Sequence, residues 1–252
     1  ATPPPPPTLK AVPPPSSEDT HQWTRPADAE HAVEVDAPHE EEHLEGTIET
    51  ITGALKGLFD DYEILIFNDC STDRTGPIAD ELAKKYSSIK VVHNQKNQGL
   101  GYNHRIGAQM STKDYYCWVP GDNDFSGESI RSLLSNIGNE DILLSYPTNK
   151  EARPMYRRII SASFTKTLNY LFDLNLNWYT GVIIYKTALL KDIKRETNSF
   201  AYNAEILVQL LKKGCTYREY PVQIKGVRGS NMFKVKNIVG VLTTVVKLYF
   251  RV

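Results

Sequence analysis

Short apolar runs alternate along the middle of this chain with stretches whose apolar residues recur every three or four positions. That alternation restricts the accessible folds more than any other feature. From Glu41 to Phe59 the residues Leu44, Ile48, Ile51, Leu55 and Leu58 mark one face of an amphipathic helix, and Tyr62 to Phe67 then reads as a buried strand. Pro77 lies near the start of a helix running to Tyr86. A strand over Ile89 to Val92, a helix from about Tyr102 to Met110 and a strand over Tyr115 to Val119 continue the order. Repeated strand-helix-strand units predict an α/β fold with a mainly parallel sheet and helices on both faces. In such sheets ligands bind in the crevice beyond the carboxyl ends of the strands.

The flanks read differently. Residues up to about 30 are polar and carry proline runs at Pro3 to Pro7 and Pro13 to Pro15, which neither a helix nor a central strand accommodates. They are expected to form a disordered leader, with a polyproline ligand for a partner domain as the sharper alternative. With 40% hydrophobic and 23% charged residues overall, the chain can bury a sizeable core. A net charge of −1 gives no support to bulk electrostatic binding of nucleic acid. Cys70, Cys117 and Cys215 show no metal-binding or redox spacing, which points to a reducing compartment. His39 and His43 are four apart, but an acidic helix start explains them as well as a metal does. No apolar run reaches the roughly 20 residues of a membrane span, and no signal peptide is expected, so a cytoplasmic chain is anticipated.

Two strand ends are rich in carboxylates. One carries Asn68-Asp69-Cys70-Ser71-Thr72-Asp73-Arg74-Thr75, the other Pro120-Gly121-Asp122-Asn123-Asp124. In an extended segment residues two apart point to one side, so Asp122 and Asp124 could share a hard cation that keeps positions open for phosphate oxygens. Each motif alone reads as a capped polar turn; their succession, with Asn97-Gln98-Gly99-Leu100-Gly101 between them, favours a nucleotide site. The glycines there permit close backbone approach, although such a loop is a weak phosphate signal by itself.

In this order, together with Glu40-Glu41-Glu42, the motifs resemble family 2 glycosyltransferases of the GT-A (Rossmann-like) fold, most of all the dolichol-phosphate mannosyltransferase branch. The resemblance spans about Val33 to the C-terminus, with the glycosyltransferase domain expected over residues 31–230. It implies a nucleotide-sugar donor of the GDP-mannose or UDP-glucose type, bound by Glu40, Asp69, Asp73, Asn97, Gly99 and Gly101, with Asp69 on the base. Asp122 falls on the metal-binding acid of the Asp-x-Asp motif, for Mg2+ or Mn2+, and Asp124 just beyond it. Arg157 and Ser161 fall where the family holds an acceptor phosphate, one helical turn apart so that both can face one ligand. Glu205 matches an acid on a helix near the active site, and Arg228 an arginine expected to meet the diphosphate. The alternatives for these are a solvated face at Arg157 and Arg158 and a buried acid paired with a lysine at Glu205.

The chain also departs from the pattern. Pro120 stands at the first acid of Asp-x-Asp, Asn68 replaces an acid, and Cys70 replaces a glycine. In Val33-Glu34-Val35-Asp36-Ala37-Pro38-His39 charges occupy a first strand that should be continuously apolar, which suggests a solvated margin of the sheet or an atypical N-terminus.

A phosphate monoester acceptor, with a second pKa of about 6, is already anionic near neutral pH and needs no strong general base. A polyprenyl phosphate is the favoured acceptor and inversion the implied outcome. From Phe233 to Val252, basic ends flank an apolar body. This segment, placed at 231–252, reads as an amphipathic helix either lying in a lipid interface or docked on the core, and the former implies peripheral contact with the cytoplasmic face of a membrane. The rival readings are transfer to a soluble or polysaccharide acceptor and a catalytically silent nucleotide-sugar-binding module.

Overall fold

The computed structural model describes residues 29–199, 201–226 and 235–252. The leader reading lies outside them except at its last positions, where Ala29 is buried in the core and the Glu30 carbonyl accepts from the Tyr115 N–H. Arg228 also lies outside the described residues.

The elements follow in the order β1 (His31–Asp36), α1 (Leu44–Leu55), β2 (Tyr62–Asn68), α2 (Thr75–Lys85), β3 (Ile89–His93), α3 (Leu100–Met110), β4 (Tyr115–Pro120), α4 (Gly127–Leu134), β5 (Ile142–Pro147), α5 (Met155–Phe172), β6 (Ile183–Lys186), α6 (Thr187–Lys191), α7 (Tyr202–Lys212), β7 (Tyr217–Val222) and α8 (Val235–Tyr249). The strands form one sheet, β3-β2-β1-β4-β6-β5-β7. β3, β2, β1 and β4 are parallel, β6 runs against both of its neighbours, and β5 and β7 are parallel to each other.

Alternation along the strands divides the interior into two cores. Val33, Val35, Ile64, Ile66, Cys117 and Val119 meet Leu44, Ile48, Ile51 and Leu55 of α1 and Leu133 of α4 on one face. Ala32, Leu65, Phe67 and Tyr116 point the other way, towards Ala108 of α3, Leu168 of α5 and Leu207 of α7. The helical spacing expected for α1 is therefore the spacing that is buried.

The solvated margin suggested for β1 is not what forms. This strand lies between β2 and β4 with all six residues buried. Glu34 faces the α3 side, where its Oε2 accepts a hydrogen bond from the Tyr116 hydroxyl at 2.8 Å. Burial, reinforced by the charge of Asp36, pushes its carboxyl well above the usual carboxylate range, which favours the neutral acid over a bare charge at the strand centre. His31 is likewise kept neutral by burial, which lowers its pKa to about 3, and it stacks on Phe59 with ring centroids 5.4 Å apart.

Space for the Tyr116 hydroxyl comes from α3. A Cβ on Gly107 would collide with that oxygen and lie 3.1 Å from the Phe67 ring. Tyr116 is fully buried and bonded to Glu34, so it has no room to retreat. Gly107→Ala is expected to destabilise the chain by about 1–3 kcal/mol despite the better helix propensity of alanine. Urea unfolding measures this, and an unchanged midpoint would show that the hydroxyl can be seated elsewhere.

Candidate active site

The carboxyl ends of β1, β2 and β4 open onto one edge of the sheet, and a continuous run of polar side chains lines it. Asn103 Nδ2, on α3, donates to Asp36 Oδ1 at 2.6 Å, while Asn103 Oδ1 accepts from Asn94 Nδ2 at 2.7 Å. Asn94 Nδ2 also donates to Asp69 Oδ1 at 2.8 Å. The Asp69 carboxylate further accepts the N–H groups of Gln98 and Gly99, each at 2.9 Å. Asp69 is buried and occupied with shaping the Asn97–Gly101 loop. Asn97 Nδ2 lies 3.5 Å from the Asp69 carbonyl.

The first acidic turn is largely self-capping. Asn68 Oδ1 accepts the Ser71 N–H, Asp73 Oδ1 accepts the Thr75 N–H, and Glu41 Oε2 accepts the Arg74 N–H at the start of α2. Glu40 enters through its backbone, its N–H donating to the Thr75 hydroxyl. The two glycines of the next loop are approached by the chain itself. Gly99 has φ 85°, and a Cβ there would lie 2.8 Å from the Asn198 carbonyl oxygen; one on Gly101 would lie 2.9 Å from the Asn198 Cα. The close approach these glycines allow is that of the chain's own segment at 197–198.

Asp122 and Asp124 do not lie in the extended segment that the sequence suggested. Residues 121–122 form a turn and Asn123 has φ 56°. Asp122 Oδ1 accepts the Asp124 N–H at 3.1 Å, and its other oxygen has no hydrogen-bond partner among the described residues. Asp124 is buried; its Oδ1 accepts the Gly226 N–H at 3.1 Å and its Oδ2 lies 3.8 Å from an Arg153 nitrogen. Burial and the neighbouring Asp122 raise its pKa. Among the described residues no three His, Cys, Asp or Glu side chains converge on a metal position, His39 and His43 included. The arrangement fits a cation held by Asp122 together with phosphate oxygens of a ligand, rather than one caged by protein alone.

The cationic side comes from α5 and the turn before it. Arg157 is half-buried on the inner stripe that continues through Ser161, Thr165 and Leu168, whereas Arg158 is exposed. Trp178 Nε1 donates to Ser161 Oγ at 3.3 Å, and the Arg153 guanidinium lies over the Trp178 ring at 4.7 Å. Arg153 reaches Asp124 in turn, so the α5 residues and the β4 carboxylates share one corner of the crevice. Sequence reasoning missed Arg153, Trp178 and Asn103, which carry no motif, and read Asp36 as a charge out of place in the first strand.

Glu205 stands apart. Its buried carboxylate accepts the N–H groups of Glu196 and Thr197 and pairs with Arg251 Nη2 at 2.7 Å. The buried-acid alternative describes it, with an arginine in place of the lysine.

With the site's geometry in view, comparison with known proteins gives the family. The family described as Glycosyl transferase family 2 matches residues 37–194, more than half of the sequence. The chain belongs to glycosyl transferase family 2. Its sheet and covering helices form the GT-A (Rossmann-like) fold. A dolichol-phosphate mannosyltransferase of Pyrococcus furiosus is 34% identical over 128 residues, 49% of this chain and 36% of that protein. An undecaprenyl-phosphate mannosyltransferase of Micrococcus luteus is 23% identical over 68% of this chain and 74% of its own length. Other curated relatives are matched over 57% and 24% of their lengths, so the chain spans about half or less of several proteins it resembles. Glucosyl-3-phosphoglycerate synthase of Mycobacterium tuberculosis, crystallised with Mn2+, UDP and glucosyl-3-phosphoglycerate, superposes with a TM-score of 0.67 at 15% identity, over 90% of this chain and 86% of that one. At that identity the likeness speaks for the fold.

In this family 2 chain Asp36 carries the clearest pH signature. Burial pushes its carboxyl up to about 7; the Asn103 hydrogen bond opposes the rise, while the charges of Asp69 and Glu40 add to it. An acid whose folded pKa exceeds its unfolded value holds its proton more tightly when folded. Its favourable contribution is complete below the unfolded value of 3.8 and is lost as pH rises towards 7. Asp36→Asn is expected to gain stability relative to wild type across that window, by at most about 1.4 kcal/mol per pH unit. Unfolding midpoints of both proteins at about pH 4 and about pH 8 measure it, and a pH-independent difference would show that Asp36 titrates normally.

Proposed function

We propose that this glycosyltransferase moves a sugar from a nucleotide sugar of the GDP-mannose or UDP-glucose type to a polyprenyl phosphate, with inversion at the sugar carbon. The observation that carries the reading is the shared corner of the crevice. There the inner face of α5, with Arg157 and Ser161, approaches Asp122 and Asp124 through Arg153 and Trp178. Such a corner suits two phosphorylated ligands: an acceptor monoester against the arginines, and a donor diphosphate beside Asp122. Bound at Asp122, Mg2+ or Mn2+ would neutralise charge on the departing diphosphate. Arg157 and Ser161 orient the acceptor phosphate, and alignment rather than proton removal is the main demand on the protein. Asp69 supports the donor side by fixing the Asn97–Gly101 loop, and Arg228 is proposed as a further diphosphate contact.

Two features support a lipid-linked acceptor. The two polyprenyl-phosphate mannosyltransferases are relatives by sequence. Apart from Met110, the large apolar side chains exposed among the described residues lie on α5 and at the C-terminus: Met155, Tyr156, Ile159, Ile160 and Tyr170, and from α8 onward Val239, Leu242, Val246, Tyr249, Phe250 and Val252. With Arg158 and Lys247 also exposed, these suit a surface resting in the lipid interface next to the α5 phosphate position. No described helix is long and apolar enough to cross a membrane. A soluble phosphorylated acceptor is the second reading, favoured by the synthase of similar fold, which was crystallised with a phosphoglycerate product.

The test is sugar transfer to a short polyprenyl phosphate from a panel of GDP- and UDP-sugars. Asp122→Ala and chelation are each expected to abolish turnover. Arg157→Ala is expected to raise KM for the acceptor roughly tenfold or more, the scale of a lost hydrogen bond to a charged group. Transfer to 3-phosphoglycerate alone would favour the soluble acceptor, and donor binding without any turnover would favour a silent module.

A further inference from the structure

The last turn of α8 and the residues beyond it are fastened to the chain by a contact outside the crevice corner. Gly240, Thr244, Leu248 and Arg251 follow one another at helical spacing. Each meets the body of the protein: a Cβ on Gly240 would lie 3.2 Å from the Ser199 Cβ, the Thr244 hydroxyl lies 2.8 Å from that of Thr197, Leu248 is buried, and Arg251 pairs with Glu205. A second Arg251 nitrogen lies 3.5 Å from Glu196.

Glu205 does more than answer Arg251. Its carboxylate also takes the N–H groups of Glu196 and Thr197, and so fixes the backbone just where it turns towards the donor side. The next residues, Thr197 and Asn198, press on Gly99 and Gly101 closely enough to exclude a Cβ at either glycine. Gly99 is in turn held by its N–H on Asp69. One contiguous path of contacts thus joins the end of α8 to the Asn97–Gly101 loop, with buried Glu205 in the middle.

We propose that Arg251 and Glu205 are positioning residues that tie the seating of α8 to the geometry of the Asn97–Gly101 loop. Its consequence for the reaction rests on the donor-binding reading of that loop. Both act through the backbone at 196–198. With Arg251 removed, the buried Glu205 carboxylate loses its counter-charge, and its hold on the 196–198 backbone, which keeps that segment against the two glycines, loosens. Because the opposite face of α8 carries exposed apolar residues, settling of that helix on a lipid surface would bear on the donor loop through the same contacts.

Amide hydrogen exchange of the intact chain, with Arg251→Ala and Arg251→Lys compared to wild type, tests the tie without depending on turnover. Arg251→Ala is expected to raise exchange of the Gln98 and Gly99 amides about tenfold, within the range of coupling between linked sites, and to leave β1 and β2 unchanged. Arg251→Lys is expected to restore most of the protection. Unchanged exchange at Gln98 and Gly99 would overturn the proposal, as would an equal rise across β1 and β2, which would mark general destabilisation. Calorimetric titration with UDP and with GDP separates this from the donor reading. A parallel loss of affinity supports both, whereas a local rise in exchange with affinity unchanged supports the tie and removes the loop from donor binding.

Discussion

Asp36, Asn103, Asn94 and Asp69 form a hydrogen-bonded line across the carboxyl edge of the sheet, and the shape of the crevice depends on it. Asp36 ends β1, Asp69 and Asn94 follow β2 and β3, and Asn103 lies in the first turn of α3, so a single set of side chains fixes the mutual positions of four elements. Buried carboxylates and amides have few ways to satisfy one another, and a connected network of this kind favours one arrangement over its neighbours. The cost is borne by Asp36, whose burial works against its charge.

The crevice carries carboxylates along β1, β2 and β4 and guanidinium groups from the α5 side. Asp124 belongs to both sets, since it contacts Arg153 and also fastens the chain at Gly226. Lys225 strengthens that fastening, its Nζ donating to Asn123 Oδ1 at 2.7 Å. The segment carrying Arg228 therefore leaves the described part of the chain from a point anchored on the second acidic motif. In the proposed reaction, two phosphorylated ligands would approach such a divided surface from different sides.

The alternation of elements was legible because β2 and α1 are regular: Glu63-Ile64-Leu65-Ile66-Phe67 admits little besides a buried strand, and the α1 spacing little besides a helix with one apolar face. β1 was misleading for a physical reason. A glutamate in a central strand is tolerated only because Tyr116, distant in sequence, supplies a hydroxyl and Gly107 supplies the room, and neither dependence shows in local pattern. The site was legible where motifs are contiguous, as at Asp69 and Asp122, although sequence could not say that Asp69 spends its oxygens on its own loop. Arg153 and Trp178 were invisible because their meaning lies in a stacking contact between a turn and a separate loop. Glu205 matched a family position, but its partner lies near the far end of the chain.

The contact of Thr197 and Asn198 with Gly99 and Gly101 also bears on the order in which the protein can assemble. β1 to β4 can pair as soon as the first half of the chain exists, since their parallel contacts and crossover helices all lie within it. The loop between β3 and α3 cannot reach its final form then, because its outer wall is contributed by backbone that a ribosome delivers much later. During synthesis a sheet with an open, unwalled loop would therefore precede the finished crevice, and the two glycines would stay accessible until the later segment closed over them.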